Sequence, residues 1–198
     1  MLTIAGIGPG NPKYLTLEVL EAIKEAEYIL AFPRVAKSLS PIRDDIIEVK
    51  KVDEILDYIK LRENTLLLAS GDPNFFGIVD FIKREKIKVT KVLPGLSSFQ
   101  YLMAKLNQPW QEANFISLHG RNKGLQSVKE NRLSIVLIDK VNNPQFISDE
   151  LQKLNIKGKM FVGFDLSYDN EKIIESNIGE AIEDYSSLGV VVIENEMD

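Results

Sequence analysis

The chain has 198 residues, 44% apolar and 27% charged, with a formal net charge of −5, one histidine and no cysteine. Such a length and balance belong to a globular protein of one large domain or two small ones, each able to bury a core. The composition excludes a disulfide framework, a thiolate nucleophile and a zinc–thiolate site, and one imidazole cannot make a histidine metal centre, so no bound metal is expected.

The charge is unevenly spread. Gly163 to Asp198 carries ten acids and one base, Lys172, which leaves 23 bases and 19 acids in the first 162 residues. The acidic end reads as a solvated face, and the mildly basic remainder can receive an anionic ligand. No basic stretch with interleaved aromatics is present, so nucleic acid is not an expected partner. No apolar run approaches the ~18 residues of a membrane span, and Leu2-Thr3-Ile4-Ala5 lacks the basic start of a signal peptide. A cytoplasmic protein without membrane contact is expected.

Leu2–Ile7 reads as a buried strand that ends in the loop Gly8-Pro9-Gly10-Asn11-Pro12. Thr16 caps a helix with Leu17, Leu20, Ile23 and Ala26 on one side. Tyr28–Phe32 is a second strand, and Pro33 opens a short helix holding Arg34 and Lys37. Ile46–Val49 is a third strand, and Asp53 caps the helix after it. Leu66–Ala69 is too short an apolar run for a lone helix and reads as a strand buried on both faces. It stops at Ser70-Gly71-Asp72-Pro73, where Asp72 stands as N-cap and Pro73 as first residue of a helix reaching Lys83. Ile87–Val92 is a strand whose lysines protect an edge. Pro94-Gly95 leads into a helix from Ser97 to Leu106.

Asn107-Gln108-Pro109-Trp110-Gln111 breaks the pattern, so domains of 1–108 and 109–198 are expected. Phe115–Leu118 is a strand that ends at His119-Gly120-Arg121. Strands at Ser134–Ile138, Lys159–Gly163, Lys172–Glu175 and Val190–Glu194 follow, with helices at Pro144–Leu154 and near Glu180–Tyr185. The fold class is α/β: two α/β domains, the first with a mainly parallel sheet and the second with a mixed one.

Gly6-Ile7-Gly8-Pro9-Gly10 invites a dinucleotide reading that fails. The fingerprint needs glycine where Asn11 stands, and Pro9 has no N–H to offer a phosphate. Three loops at strand ends remain: Gly8-Pro9-Gly10, Ser70-Gly71-Asp72-Pro73 and Pro94-Gly95-Leu96-Ser97-Ser98. In a parallel sheet all three lie at the carboxyl edge, where open α/β sheets bind small molecules. Glycines give backbone access, Asp72 gives anionic character and the serines give neutral hydrogen bonds, a set suited to a polar, partly cationic ligand. Ser97 and Ser98 read equally well as a helix N-cap pair. His119 at a strand end is a candidate proton acceptor or a hydrogen-bonded structural residue. Arg34, Lys37, Arg121 and Lys123 are candidates to pair with ligand carboxylates, or solvated surface cations.

In this order, the loops resemble the tetrapyrrole methylase family, whose members methylate macrocycles with S-adenosyl-L-methionine. The resemblance rests on Gly6-Ile7-Gly8-Pro9-Gly10 with Leu15-Thr16, on Ser70-Gly71-Asp72-Pro73 and on Pro94-Gly95-Leu96-Ser97-Ser98, and it covers essentially the whole chain. Trp110 and Ser117-Leu118-His119-Gly120-Arg121 are similar to the branch that methylates carbon 5 of cobalt-precorrins in cobalamin synthesis. The resemblance implies two α/β domains with a ligand trough between them. Pro9, Ser70, Gly71, Asp72, Phe75, Ser97, Ser98, Ile138 and Leu166 would then contact the cofactor. Gly8, Gly10, Arg34 and Arg121 would contact the cobalt-precorrin macrocycle, and His119 would take a proton. It further implies a homodimer and a functional partner that methylates and decarboxylates at carbon 15. One departure stands out: Phe164-Asp165-Leu166-Ser167 occupies a place where the related pattern is Glu-Asn-Leu-Gly. Competing expectations are methylation of another precorrin carbon, of a protein or of ribosomal RNA, and a non-catalytic binding protein of the same fold.

Overall fold

The computed structural model describes residues 1–118 and 124–197, and the chain divides into two compact units, Met1–Ser98 and Phe99–Asp198.

In the first unit, β1 (Leu2–Gly6), β2 (Tyr28–Ala31), β3 (Ile47–Glu48), β4 (Thr65–Ala69) and β5 (Lys91–Leu93) form one sheet in the order β3-β2-β4-β1-β5. Every pairing in it is parallel. The apolar run of β4 is explained by its two covered faces. Leu66 and Leu68 pack with Val19 and Ile23 of α1 (Leu17–Glu25) and with Val35 and Leu39 of α2 (Pro33–Leu39). Leu67 enters a second core with Ile55 of α3 (Val52–Leu61) and with Val79 and Ile82 of α4 (Ile78–Arg84). Each such leucine contributes about 1.5–3 kcal/mol on burial. Because the strands are parallel, β1, β4 and β5 all release their chains at the same sheet edge. Gly6 stands level with Ala69, and Ala5 with Leu93.

In the second unit, β6 (Asn114–Ser117), β7 (Leu133–Leu137), β8 (Gly158–Phe164), β9 (Lys172–Asn177) and β10 (Gly189–Asn195) are ordered β6-β7-β10-β8-β9. Only β6 and β7 run parallel; the β7–β10, β10–β8 and β8–β9 pairs are antiparallel. The expected mixed sheet is therefore present. Its core joins Val136, Met160, Val162, Phe164, Val191 and Ile193 to Ile147 and Leu151 of α6 (Pro144–Lys153). Helix α5 (Ser98–Leu106) joins this unit from Phe99 onward. The Phe99 ring packs edge-on to Trp110 at 5.2 Å and to Phe115 at 5.0 Å, which places the helix with the strand that follows it. The expected junction after residue 108 falls at the far end of this helix.

Several local expectations need correction. Asp72 does not cap α4, which starts six residues later with Gly77 as its N-cap. Asp72 instead closes a tight turn, its Oδ1 accepting from the Asn74 amide at 2.7 Å. Asp53 lies inside α3, whose N-cap is Lys51, and Glu54 reaches back to the Lys50 amide at 2.8 Å. Thr16 does cap α1, but Leu17 is 79% exposed, and Val19 and Ile23 face the core. β5 begins only at Lys91, because Ile87 is still bonded to Ile82 at the end of α4. No helix forms over 180–185: the Gly179 amide donates to Ser148 Oγ and the Ile182 amide to Gln145 Oε1. Those donors are satisfied by side chains of α6 rather than by carbonyls one turn back.

Candidate functional site

The three glycine loops of the first unit meet backbone to backbone. Ile7 donates to the Ala69 carbonyl at 2.9 Å, just past the parallel β1–β4 pairing, and Gly71 donates to the Gly8 carbonyl at 2.8 Å in an isolated antiparallel bridge that ties the two loops together. A Cβ on Gly6 would stand 2.4 Å from the Gly71 oxygen and 2.7 Å from the Gly95 nitrogen. One on Gly95 would stand 2.3 Å from the same Gly71 oxygen and 2.6 Å from the Gly6 oxygen. Three backbones thus approach at a point with no room for a side chain, which is why positions 6 and 95 are glycine.

Gly71 itself differs. Its φ is +67°, and among the described residues a Cβ there would meet nothing nearer than the Ser97 Cα at 3.9 Å. The backbone at residue 71 is therefore bare on that side, with Ser97 beside it and the Asp72 carboxylate next in sequence. Pro9 and Ser97 are buried, Asp72, Phe75 and Ser98 are half-buried, and Ser70 is exposed. Phe75 packs edge-on to Phe76 at 4.8 Å, above the same turn. A bare peptide, one carboxylate and hydroxyls can receive the ammonium and amide-like groups of a small polar ligand. Arg34, the second residue of α2, is exposed and makes no ion pair among the described residues. His119 and Arg121 lie outside the described residues, as do Gly120 and Lys123.

The second unit has its own edge of converging loops. Ile138, just past β7, and Leu166, just past β8, are both buried. They cover two glycines: a Cβ on Gly163 would lie 2.7 Å from a Leu166 methyl, and one on Gly189 would lie 2.9 Å from the Ile138 Cδ1. The Asp139 carboxylate accepts from the Val141 and Asn142 amides at 2.9 and 2.8 Å. Asn142 Nδ2 in turn donates to the Leu118 carbonyl at 3.1 Å, tying the end of β6 to this loop. An open groove of about 960 Å³ sits at the opposite end of the same sheet, against Leu133, Lys159 and Asn195. Among the described residues, none of the expected site residues lines it.

The turn after β8 holds two residues with left-handed backbone, Asp165 (φ 44°) and Ser167 (φ 74°). These are the Asn and Gly positions of the related pattern, and those two residue types adopt such a backbone at least cost. Asp165 and Ser167 adopt that backbone here all the same. Ser167 donates its amide to Glu171 Oε2 at 2.6 Å, and Glu171 pairs with Lys105 of α5 at 3.3 Å. Burial alone would raise the Glu171 carboxyl, but the Tyr101 hydroxyl, the Ser167 amide and Lys105 outweigh it and hold it below the ordinary glutamate value. The acidic end of the chain read as solvated surface, and spacing gave no signal that this one acid is partnered.

Residues 1–182 match the family described as Tetrapyrrole (Corrin/Porphyrin) Methylases. This chain belongs to that family. It is 30% identical to a protein named probable cobalt-precorrin-7 C(5)-methyltransferase from Methanocaldococcus jannaschii, over 99% of each chain. It is 28% identical to the cobalt-precorrin-7 C(5)-methyltransferase of Salmonella typhimurium, over 98% of this chain and 99% of that one. Among solved structures, the precorrin-6Y methylase CbiE from Archaeoglobus fulgidus superimposes with a TM-score of 0.78 at 23% identity, over 100% of this chain and 99% of the other. A Thermus thermophilus uroporphyrin-III C-methyl transferase, solved with S-adenyl homocysteine, gives a TM-score of 0.78 at 21% identity, over 97% and 96%. A tetrapyrrole methylase of two α/β units is thus the fold that the three glycine loops led one to expect.

Proposed function

We propose that this tetrapyrrole methylase transfers a methyl group from S-adenosyl-L-methionine to carbon 5 of a cobalt-precorrin, forming cobalt-precorrin-7 in cobalamin biosynthesis. One observation carries the choice of reaction: full-length kinship, at 30% and 28% identity, with two proteins named for it. The glycine junction supports cofactor binding independently, because Gly71 presents bare backbone where a side chain would otherwise project. When bound, S-adenosyl-L-methionine supplies an already activated methyl group, so the chain has no electrophile to generate.

What remains for the protein is binding, alignment and exclusion of water. Gly71, Asp72, Ser97 and Ser98 would hold the cofactor's amino acid portion, Asp72 supplying the anionic charge that an ammonium group requires. Pro9, Ser70 and Phe75 complete that side, and Ile138 and Leu166 offer apolar cover to the adenine. Gly8 and Gly10 let the macrocycle approach the first loop, and Arg34 and Arg121 pair with its peripheral carboxylates. His119 accepts at a ring nitrogen the proton left on the methylated carbon. Among the described residues, no group of three or more His, Cys, Asp or Glu side chains could hold a metal ion, and any cobalt is carried by the substrate.

The chain acts as a homodimer in the cytoplasm, and a separate protein performs the methylation and decarboxylation at carbon 15. Support for the last point comes from a Sinorhizobium precorrin-6Y C(5,15)-methyltransferase [decarboxylating]. This chain is 29% identical to it over 61% of its own length but only 30% of that protein's. Among the described residues no helix is long and apolar enough to cross a membrane. The test incubates purified protein with labelled cofactor and the cobalt-precorrin-6 stage intermediate, then locates the label by carbon NMR. Label at carbon 5 is expected. Label on another carbon, or on co-purifying RNA or protein, would refute the assignment.

A further inference from the structure

The turn that carries Leu166 is over-determined. Asp165 and Ser167, on either side of it, hold left-handed backbone that non-glycine residues avoid. Such a conformation persists only where neighbouring groups enforce it. Asp165 is fixed four ways: its amide donates to the Leu188 carbonyl at 3.0 Å, its carbonyl accepts from the Tyr168 amide at 3.0 Å, its Oδ1 accepts from Ser186 Oγ at 2.8 Å and its Oδ2 accepts from Asn170 Nδ2 at 2.7 Å. Ser167 is held by Glu171 through its amide. Glu171 is held in turn by Tyr101 and Lys105, both on α5. One carboxylate therefore joins the turn after β8 to the helix whose first residue is Ser98.

We infer that Glu171 is a positioning residue for the cofactor, locking the Phe164–Ser167 turn so that Leu166 is already placed for binding. The inference rests on the proposed assignment of Leu166 to the cofactor side. Glu171 touches no reacting atom and acts only through the turn. Without its carboxylate the Ser167 amide loses its acceptor, and the strained turn can relax to conformations that displace Leu166. If only one molecule in ten then holds the competent turn, apparent cofactor affinity falls about 10-fold.

The experiment measures binding of S-adenosylhomocysteine by calorimetry to wild type, Glu171→Ala, Glu171→Gln, Leu166→Ala and the Leu166→Ala/Glu171→Ala double variant. Circular dichroism confirms that each is folded at the assay temperature. Glu171→Ala is expected to weaken binding about 10-fold. Glu171→Gln, which retains an acceptor for the Ser167 amide, should recover most of the loss. In the Leu166→Ala background the Glu171→Ala change should add little, because both act through one contact. Wild-type affinity in folded Glu171→Ala, or losses that simply add in the double variant, would overturn the role of Glu171. Wild-type affinity in Leu166→Ala would instead refute the assignment of Leu166 to the cofactor side, and the inference with it.

Discussion

Replacing Gly71 by alanine separates ligand access from folding more cleanly than any other change at the glycine junction. The added methyl meets only the Ser97 Cα, at 3.9 Å, an ordinary van der Waals distance. Its cost to the fold is therefore conformational: a non-glycine residue at φ +67° loses about 1–2 kcal/mol. In a chain of this size each kcal/mol lowers the melting temperature by about 2–4 °C. Gly71→Ala should melt about 2–8 °C below wild type and remain folded at 25 °C. Valine, whose branched Cβ tolerates that φ still less, would confuse strain with ligand exclusion. Gly95→Ala is the contrasting control, since its methyl would lie 2.3 Å from the Gly71 oxygen and 2.6 Å from the Gly6 oxygen. Backbone on both sides must shift, at a cost beyond the ~1–3 kcal/mol of ordinary overpacking. If the cofactor packs on the bare face of Gly71, one extra methyl there should weaken S-adenosylhomocysteine binding by at least about 10-fold. Thermal melts and titration calorimetry read the two effects separately. Wild-type affinity in a folded Gly71→Ala protein would refute the reasoning, and so would a Gly95→Ala protein as stable as Gly71→Ala.

Three other predictions need one further variant each. Glu171 titrates below its ordinary value in the fold, so its partners stabilise the native state above the unfolded pKa, and that contribution is lost as pH falls through the folded pKa. The melting-temperature gap between wild type and Glu171→Gln should therefore be full at pH 7, begin to narrow below about pH 4.5 and close in stronger acid; a gap independent of pH would refute the pairing. Arg34→Ala should weaken macrocycle binding by about 10–100-fold, the worth of a charge-assisted bond, and leave S-adenosylhomocysteine binding unchanged; equal losses for both ligands would indicate a structural role instead. His119→Ala should slow turnover by ~10²–10⁴-fold without loss of cofactor affinity, measured in single turnovers; a smaller effect removes His119 as the base.

The succession of strands along the chain and the three glycine loops are legible in the residues alone. A triple-leucine run bounded by turn residues reads as a doubly buried strand because side-chain burial on both faces is a local property of composition. Glycines at strand ends are legible for the same reason, since the absence of a side chain is written in the residue itself. Sequence could not say which glycine does what. Gly6 and Gly95 are forced by backbone 2.3–2.7 Å from where a Cβ would be, whereas Gly71 is demanded by its φ and, among the described residues, is bare outward. That difference arises only when β1 is brought level with β4 and β5, 63 and 88 residues further along the chain, in one parallel sheet. The misplaced caps at Asp53 and Asp72 have a related cause. A carboxylate's choice between capping a helix and closing a turn is decided by where the neighbouring backbone goes. Glu171 is the clearest case. Among ten acids in the last 36 residues nothing local distinguishes it, and only tertiary packing brings Tyr101 and Lys105 to the carboxylate that already accepts from the Ser167 amide four residues back. Hydrophobic pattern and glycine are short-range information, while the partner of a charge is fixed by the fold.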